Sequence, residues 1–174
     1  MAYARPNLVE ASINSSDKVT YVTTRWLSQD QQRSWRCFIE GTLRLYERLD
    51  RELRESHGLS MPEYEILVRL SEVPERRIRM AELAESANQS RSRLSHTVTR
   101  LERQRLVVRD TCADDRRGVF AVLTDEGYAR LEEASHTHVT GVREHFVDLV
   151  SDDDLEVIGR GMGVVASKLG PPCV

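Results

Sequence analysis

Residues 77–104 read RIRMAELAESANQSRSRLSHTVTRLERQ, and the way this stretch folds decides the rest of the chain. Arg77, Ile78 and Arg79 suit a short extended piece. Two helical segments follow, separated near Asn88, Gln89 and Ser90 by polar turn formers that interrupt the apolar spacing. The first spans only about two turns. In the second, a step of about 100° per residue brings Leu94, Val98 and Leu101 onto one narrow stripe, which must pack inward. The opposite face carries Ser92, His96, Thr99 and Arg103, flanked by Arg93, Ser95 and Arg100. Directly afterwards come LVVRD (106–110) and VFAVLT (119–124), β-branched runs of strand length joined by the polar, charged TCADDRRG (111–118). The pattern predicts a helix-turn-helix followed by a two-stranded hairpin, or wing.

Toward the N-terminus, Trp35, Phe38, Ile39, Leu45, Tyr46, Leu49 and Leu53 recur at three-and-four spacing, which predicts a long amphipathic helix from Ser28 that Gly58 ends. Gly41 inside it costs a little stability. Ser60, Met61, Pro62 and Glu63 then supply an N-cap, an early proline and a glutamate at N3, opening a helix whose Ile66, Leu67 and Leu70 face inward and which Pro74 closes. Beyond the hairpin, Thr124 and Asp125 cap another long helix, with Tyr128, Leu131, Val139, Val142, Phe146 and Leu149 along one side. Ser151 and Asp152, Asp153 and Asp154 start a last helix, the acids favouring its positive end, with Leu155, Ile158, Met162, Val165 and Leu169 as its stripe. Two terminal helical arms thus flank a central unit and leave apolar faces that a second copy of the chain would cover. The expected fold class is mainly α with a small β-hairpin wing. Residues 59–123 are expected to form the winged helix-turn-helix region, 28–58 and 124–169 a helical dimerisation region, and 1–27 and 170–174 tails of no assigned role.

Charge is distributed unevenly along the chain. From Arg76 to Gly118 there are 11 arginines against six acids, a segment of +5 inside a chain of net −3. A cationic middle in an anionic frame is what a local phosphate-binding surface needs, because attraction and counterion release act over about a Debye length. No run approaches the roughly 18 apolar residues of a membrane span, and the opening MAYARPNLVEASINSSDK lacks an apolar signal core, so a cytoplasmic protein is expected. Cys37, Cys112 and Cys173 are odd in number and widely spaced, without a CxxC pair, which fits a reducing compartment.

The order of elements resembles the MarR family over roughly residues 28 to 169. The matching segments are LSMPEYEILVRL (59–70), RMAELAE (79–85), SRSRLSHTVTRLERQRLV (90–107) and DDRRGVFAVLTDEG (114–127). The last is the most specific, because the family wing carries an Asp-x-Arg pattern before a strand ending Leu-Thr, here Asp115, Arg117, Leu123 and Thr124. The second reading-head helix also has the chemistry for a major groove. Arginine bonds two acceptors on guanine, serine and threonine reach bases or phosphates, and a helix amino end favours phosphate. By position, Ser92, Arg93, Ser95, His96 and Thr99 are candidates for groove contacts, and Arg91, Arg100 and Arg103 for phosphates.

The resemblance implies that Arg117 enters the minor groove while Asp115 orients it, with Arg116 the local rival. It implies a repressor that is a two-fold dimer on a pseudo-palindromic operator. It also implies a small phenolic or otherwise anionic effector in the cleft between dimer arms and reading heads. Trp35, Tyr46, Arg51, His57 and Tyr64 suit that chemistry, and none is assigned. One position departs from the family: Arg105 stands where glycine is usual, and a left-handed backbone there would cost about 1 kcal/mol.

The cysteines and histidines raise two other classes of function. A redox sensor would use Cys112, with Arg109 and Arg116 close by to lower its pKa. A metal sensor would use His136, His138 and His145, but a helix separates the first two by about 200° and puts the third two turns away, so no metal or cofactor is expected. Nothing supplies a nucleophile with its base, a carboxylate pair or a phosphate-cradling glycine loop, so no enzyme is expected.

Overall fold

The computed structural model describes residues 11–12, 20–21, 24–111 and 118–169. Ahead of residue 42, β1 (Ala11–Ser12) and β2 (Thr20–Tyr21) pair antiparallel, and the first turns of helix α1 (Gln29–His57) bring the Trp35 and Phe38 rings to 6.2 Å.

From residue 42 onward the chain builds one core around α2 (Met61–Ser71). Gly58, at φ 66°, ends α1 in the left-handed conformation that glycine adopts without penalty. The expected capping box opens α2: the Glu63 carboxylate accepts the Ser60 N–H at 2.8 Å, and Ser60 caps the N3 position. Asp50 of α1 joins the two helices by accepting from Met61 N at 2.7 Å, and within α1 it accepts from Arg54 Nε at 2.6 Å. Ile66, Leu67 and Leu70 are fully buried, as their spacing predicts.

A 3-10 turn at Pro74–Arg76 leads into β3 (Arg77–Arg79), α3 (Met80–Ser86) and α4 (Arg91–Arg103), then β4 (Val107–Thr111) and β5 (Val119–Leu123). The strands form one antiparallel sheet in the order β3-β5-β4, with Arg79 opposite Phe120 and Val107 opposite Leu123. The short extended piece foreseen before α3 is therefore an edge strand of the wing sheet. Asn88, at φ 49°, makes the turn between α3 and α4.

Arg105 adopts the left-handed backbone, φ 62°, in the position where the family favours glycine. Three bonds hold it there. Arg105 N donates to Glu102 O at 2.9 Å, Leu106 N to Leu101 O at 3.0 Å, and Thr124 Oγ1 to Arg105 O at 2.8 Å. Glycine would relieve the strain but add freedom to the unfolded chain, so Arg105→Gly is expected to stabilise by a few tenths to about 1 kcal/mol. A rise in the denaturant midpoint at unchanged slope would show it; a fall would mean that the arginine side chain stabilises the turn.

Helix α5 (Asp125–His145) starts on Thr124, whose Oγ1 accepts from Gly127 N at 2.9 Å. It is shorter than the apolar spacing predicts. Phe146 breaks it at φ −143°, ψ −65°, and a 3-10 turn follows at Val147–Leu149, so Phe146 and Leu149 do not extend its stripe. Val139, on the apolar side read from the sequence, is 56% exposed in the single chain. The buried line is Gly127, Leu131, Ala134 and Gly141. At Gly141 α1 lies close: a Cβ there would stand 2.5 Å from Glu52 Oε2 and 2.8 Å from Leu49 Cδ2, side-chain ends that would have to shift. Helix α6 (Asp152–Leu169) begins with Ser151 Oγ accepting from Asp154 N, and it buries none of its residues.

Candidate nucleic-acid interface

The inward stripe of α4 is Leu94, Val98 and Leu101, each wholly buried, with Thr97 beside them donating to Arg93 O at 3.1 Å. Ser90 is the N-cap and accepts from Arg93 N at 3.3 Å. With that stripe anchored, Arg91, Ser92, Arg93, Ser95, His96, Arg100 and Arg103 all lie exposed on the remaining surface, and Thr99 is half-buried. The structure thus brings together on one helix all eight α4 residues singled out from the sequence. Asp115, Arg116, Arg117 and Cys112 lie outside the described residues.

The arginines divide by what they touch. No carboxylate among the described residues lies within ion-pair distance of Arg91, Arg93 or Arg103, whereas others are held by the fold. Arg100 Nε stands 3.0 Å from Glu63 Oε1, without the alignment of a hydrogen bond, and its Nη2 donates to Oε2 at 3.4 Å. Glu63 is 1% exposed, so this guanidinium also neutralises a buried carboxylate, and its availability to a phosphate is correspondingly reduced. Arg77 pairs with Asp110 at 3.1 Å and lies 3.6 Å over the Phe120 ring, while Arg76 lies 3.8 Å over Tyr128 and bonds Asp125.

Arg109 is the residue that sequence reading missed in this role. From the middle of β4 it pairs with Glu102, donates to Ser95 O at 2.9 Å and reaches Thr99 Oγ1 at 3.1 Å. Thr99 Oγ1 in turn donates to Ser95 O at 2.8 Å. Both hydrogen-bonding roles of that hydroxyl are thereby occupied. No local signal marks this set, because its members come from a helix and from a strand beyond a turn.

The other sequence candidates are dispersed. Tyr64 is buried, its ring 4.7 Å from that of His138, and burial depresses the His138 pKa. His57 Nε2 shares a 2.7 Å hydrogen bond with Thr137 Oγ1. His145 bonds Glu52 at 2.8 Å; burial works to raise the Glu52 pKa, but the bonds from His145 and Arg48 outweigh it and hold it below the usual value. Among the described residues no three histidine, cysteine or acidic side chains are placed to share a metal ion, and no helix is long and apolar enough to cross a membrane. A cleft of about 550 Å³ lies between the end of α1, the start of α2 and α4, lined by Arg54, Ser60, Pro62, Arg93, His96 and Arg100 among others.

This arrangement is shared with known proteins. Residues 57–118 match the MarR family model. The chain is 43% identical to Sco3205, a MarR family transcriptional regulator from Streptomyces coelicolor solved in complex with DNA, over 84% of this chain and 95% of that one, with a TM-score of 0.80. The chain belongs to the MarR family. AbsC, another MarR family transcriptional regulator from Streptomyces coelicolor, is 43% identical over 84% of this chain and 98% of its own, with a TM-score of 0.78. The HTH-type transcriptional repressor YetL of Bacillus subtilis is 30% identical over 105 residues, and the match spans 63% of its length. In this MarR transcriptional regulator, α3 and α4 are the helix-turn-helix, and β4 and β5 the wing strands.

Proposed function

We propose that this MarR regulator binds a pseudo-palindromic operator as a homodimer and represses transcription until a small anionic effector releases it. One observation carries the reading: Arg91, Arg93 and Arg103 stand exposed on α4 with no carboxylate of the described residues at ion-pair distance, Glu65 acting on Arg93 only from farther off, beside the two wing strands. Unpaired guanidinium groups on a helix face gain most from phosphates and guanine edges. Sco3205 is a relative solved with DNA. YetL is a repressor.

In this reading Arg93, with Ser92, Ser95 and His96, faces the major groove, Arg91 and Arg103 hold phosphates, and Arg117 enters the minor groove with Asp115 beside it. Thr99 and Arg100 serve more through the contacts described above. The cleft beside Arg93 and His96 is the place for an anionic effector in this reading: Arg54 and Arg100 also line it but are paired with Asp50 and Glu63, so a carboxylate there would draw chiefly on Arg93, which faces DNA, and so favour a different placement of α4.

Selection from a random DNA pool tests the proposal, with a two-fold symmetric motif expected. Affinity for that motif should fall steeply with salt, and Arg117→Ala should weaken it by about tenfold to a hundredfold while the dimer persists. Recovery of no motif, or binding indifferent to salt and to Arg117→Ala, would overturn the regulator reading for this chain.

A further inference from the structure

The wing strands and α4 are each anchored to the core at one side only. Leu94, Val98 and Leu101 fix α4, and Val107, Ala121 and Leu123 fix the base of the hairpin, whereas Val108 and Val119 are 47% and 40% exposed. Between the two anchored parts the side chains of Arg109 and Glu102 span the gap. Arg109 N–H donates to Glu102 Oε1 at 3.2 Å, its Nη1 pairs with Glu102 Oε2, and its Nη2 reaches Ser95 O and Thr99 Oγ1. The guanidinium and Glu102 side chains are both 28% exposed, so water competes only partly for these bonds.

We propose that Arg109 is a positioning residue for DNA binding: its fork, braced by Glu102, sets the angle of the wing strands to α4. This rests on the DNA-binding reading above and deepens it. A planar guanidinium bonds three acceptors in fixed directions, which a lysine ammonium on a flexible stem cannot reproduce. Helix and wing are separate reading elements, so an angle fixed before binding spares the ordering that would otherwise oppose association. The arginine therefore acts through geometry, and charge alone does not replace it.

The test is a double-mutant cycle on the motif selected from random DNA. Arg109→Lys keeps the charge and is expected to lower affinity on the order of tenfold, with the slope of binding against salt unchanged. Combined with Arg117→Ala, it should add little, because a misdirected wing has already lost what Arg117 contributes; combined with Arg93→Ala, the losses should multiply. Glu102→Gln, which removes the charge of the brace and leaves Arg109 in place, should show the same pattern with a smaller loss, and it carries the test if Arg109→Lys fails to fold. Wild-type affinity in Arg109→Lys, or losses that multiply with Arg117→Ala, would overturn the proposal. If the wild-type chain selects no DNA at all, the regulator reading itself fails, and that outcome is distinct from either.

Discussion

Ile158→Asp is expected to convert the protein to a monomer and to lower its affinity for the operator by about a hundredfold to ten-thousandfold. Helix α6 has 18 residues and buries none of them, while Ile158, Met162, Val165 and Leu169 stand along it at exposures of 37% to 84%. Three of its residues are Gly159, Gly161 and Gly163, each costing up to about 1 kcal/mol relative to alanine in a helix. A helix of that length and composition is marginal in water alone, so burial against a second copy is what would hold it. A buried aspartate without a partner opposes that burial strongly. The loss on DNA follows from linkage: two tethered reading heads bind as one ligand, and a single head forgoes the effective concentration of the second. Sedimentation and a binding titration on the selected motif read both effects. A variant that stays dimeric and binds as the parent does would show that α6 is not the interface.

Much of this was legible in the sequence because it is local. The capping box at Ser60 and Glu63, the stop at Gly58 and the inward line of Leu94, Val98 and Leu101 each depend on residues within a turn or two. Pairings between elements were not legible. The Glu63 carboxylate reads as a cap, yet it also holds Arg100 of a helix that follows two others. Arg109 reads as one more cation near a cysteine, yet its partners Ser95, Thr99 and Glu102 lie on another element. The buried line of α5 was not legible for a related reason. Spacing arguments give weight to large apolar residues, whereas this line includes Gly127, Ala134 and Gly141, which carry no such signal.

The same blindness to close approach covers Gly127, where a large effect on stability is expected. Gly127→Ala should lower stability by about 3 kcal/mol or more, a fall in Tm of roughly 6–12 °C for a chain of this size. The new Cβ would overlap the Leu106 carbonyl oxygen and stand 2.9 Å from its carbon and 2.7 Å from Leu123 Cδ1. The side chain of Leu123 can turn, but the carbonyl cannot easily yield. It accepts Thr124 N at 3.1 Å, and it follows directly on the strained turn at Arg105. Relief therefore requires the start of α5 to part from the base of the wing. Gly41→Ala is the matched control, since an added Cβ there meets nothing within 4 Å. Helix propensity alone would make it stabilising by up to about 1 kcal/mol. Thermal and denaturant unfolding of the two variants should move in opposite directions. Equal shifts would mean that the contact between the first turn of α5 and Leu106 is looser in solution, and with it the link from the wing to the rest of the fold.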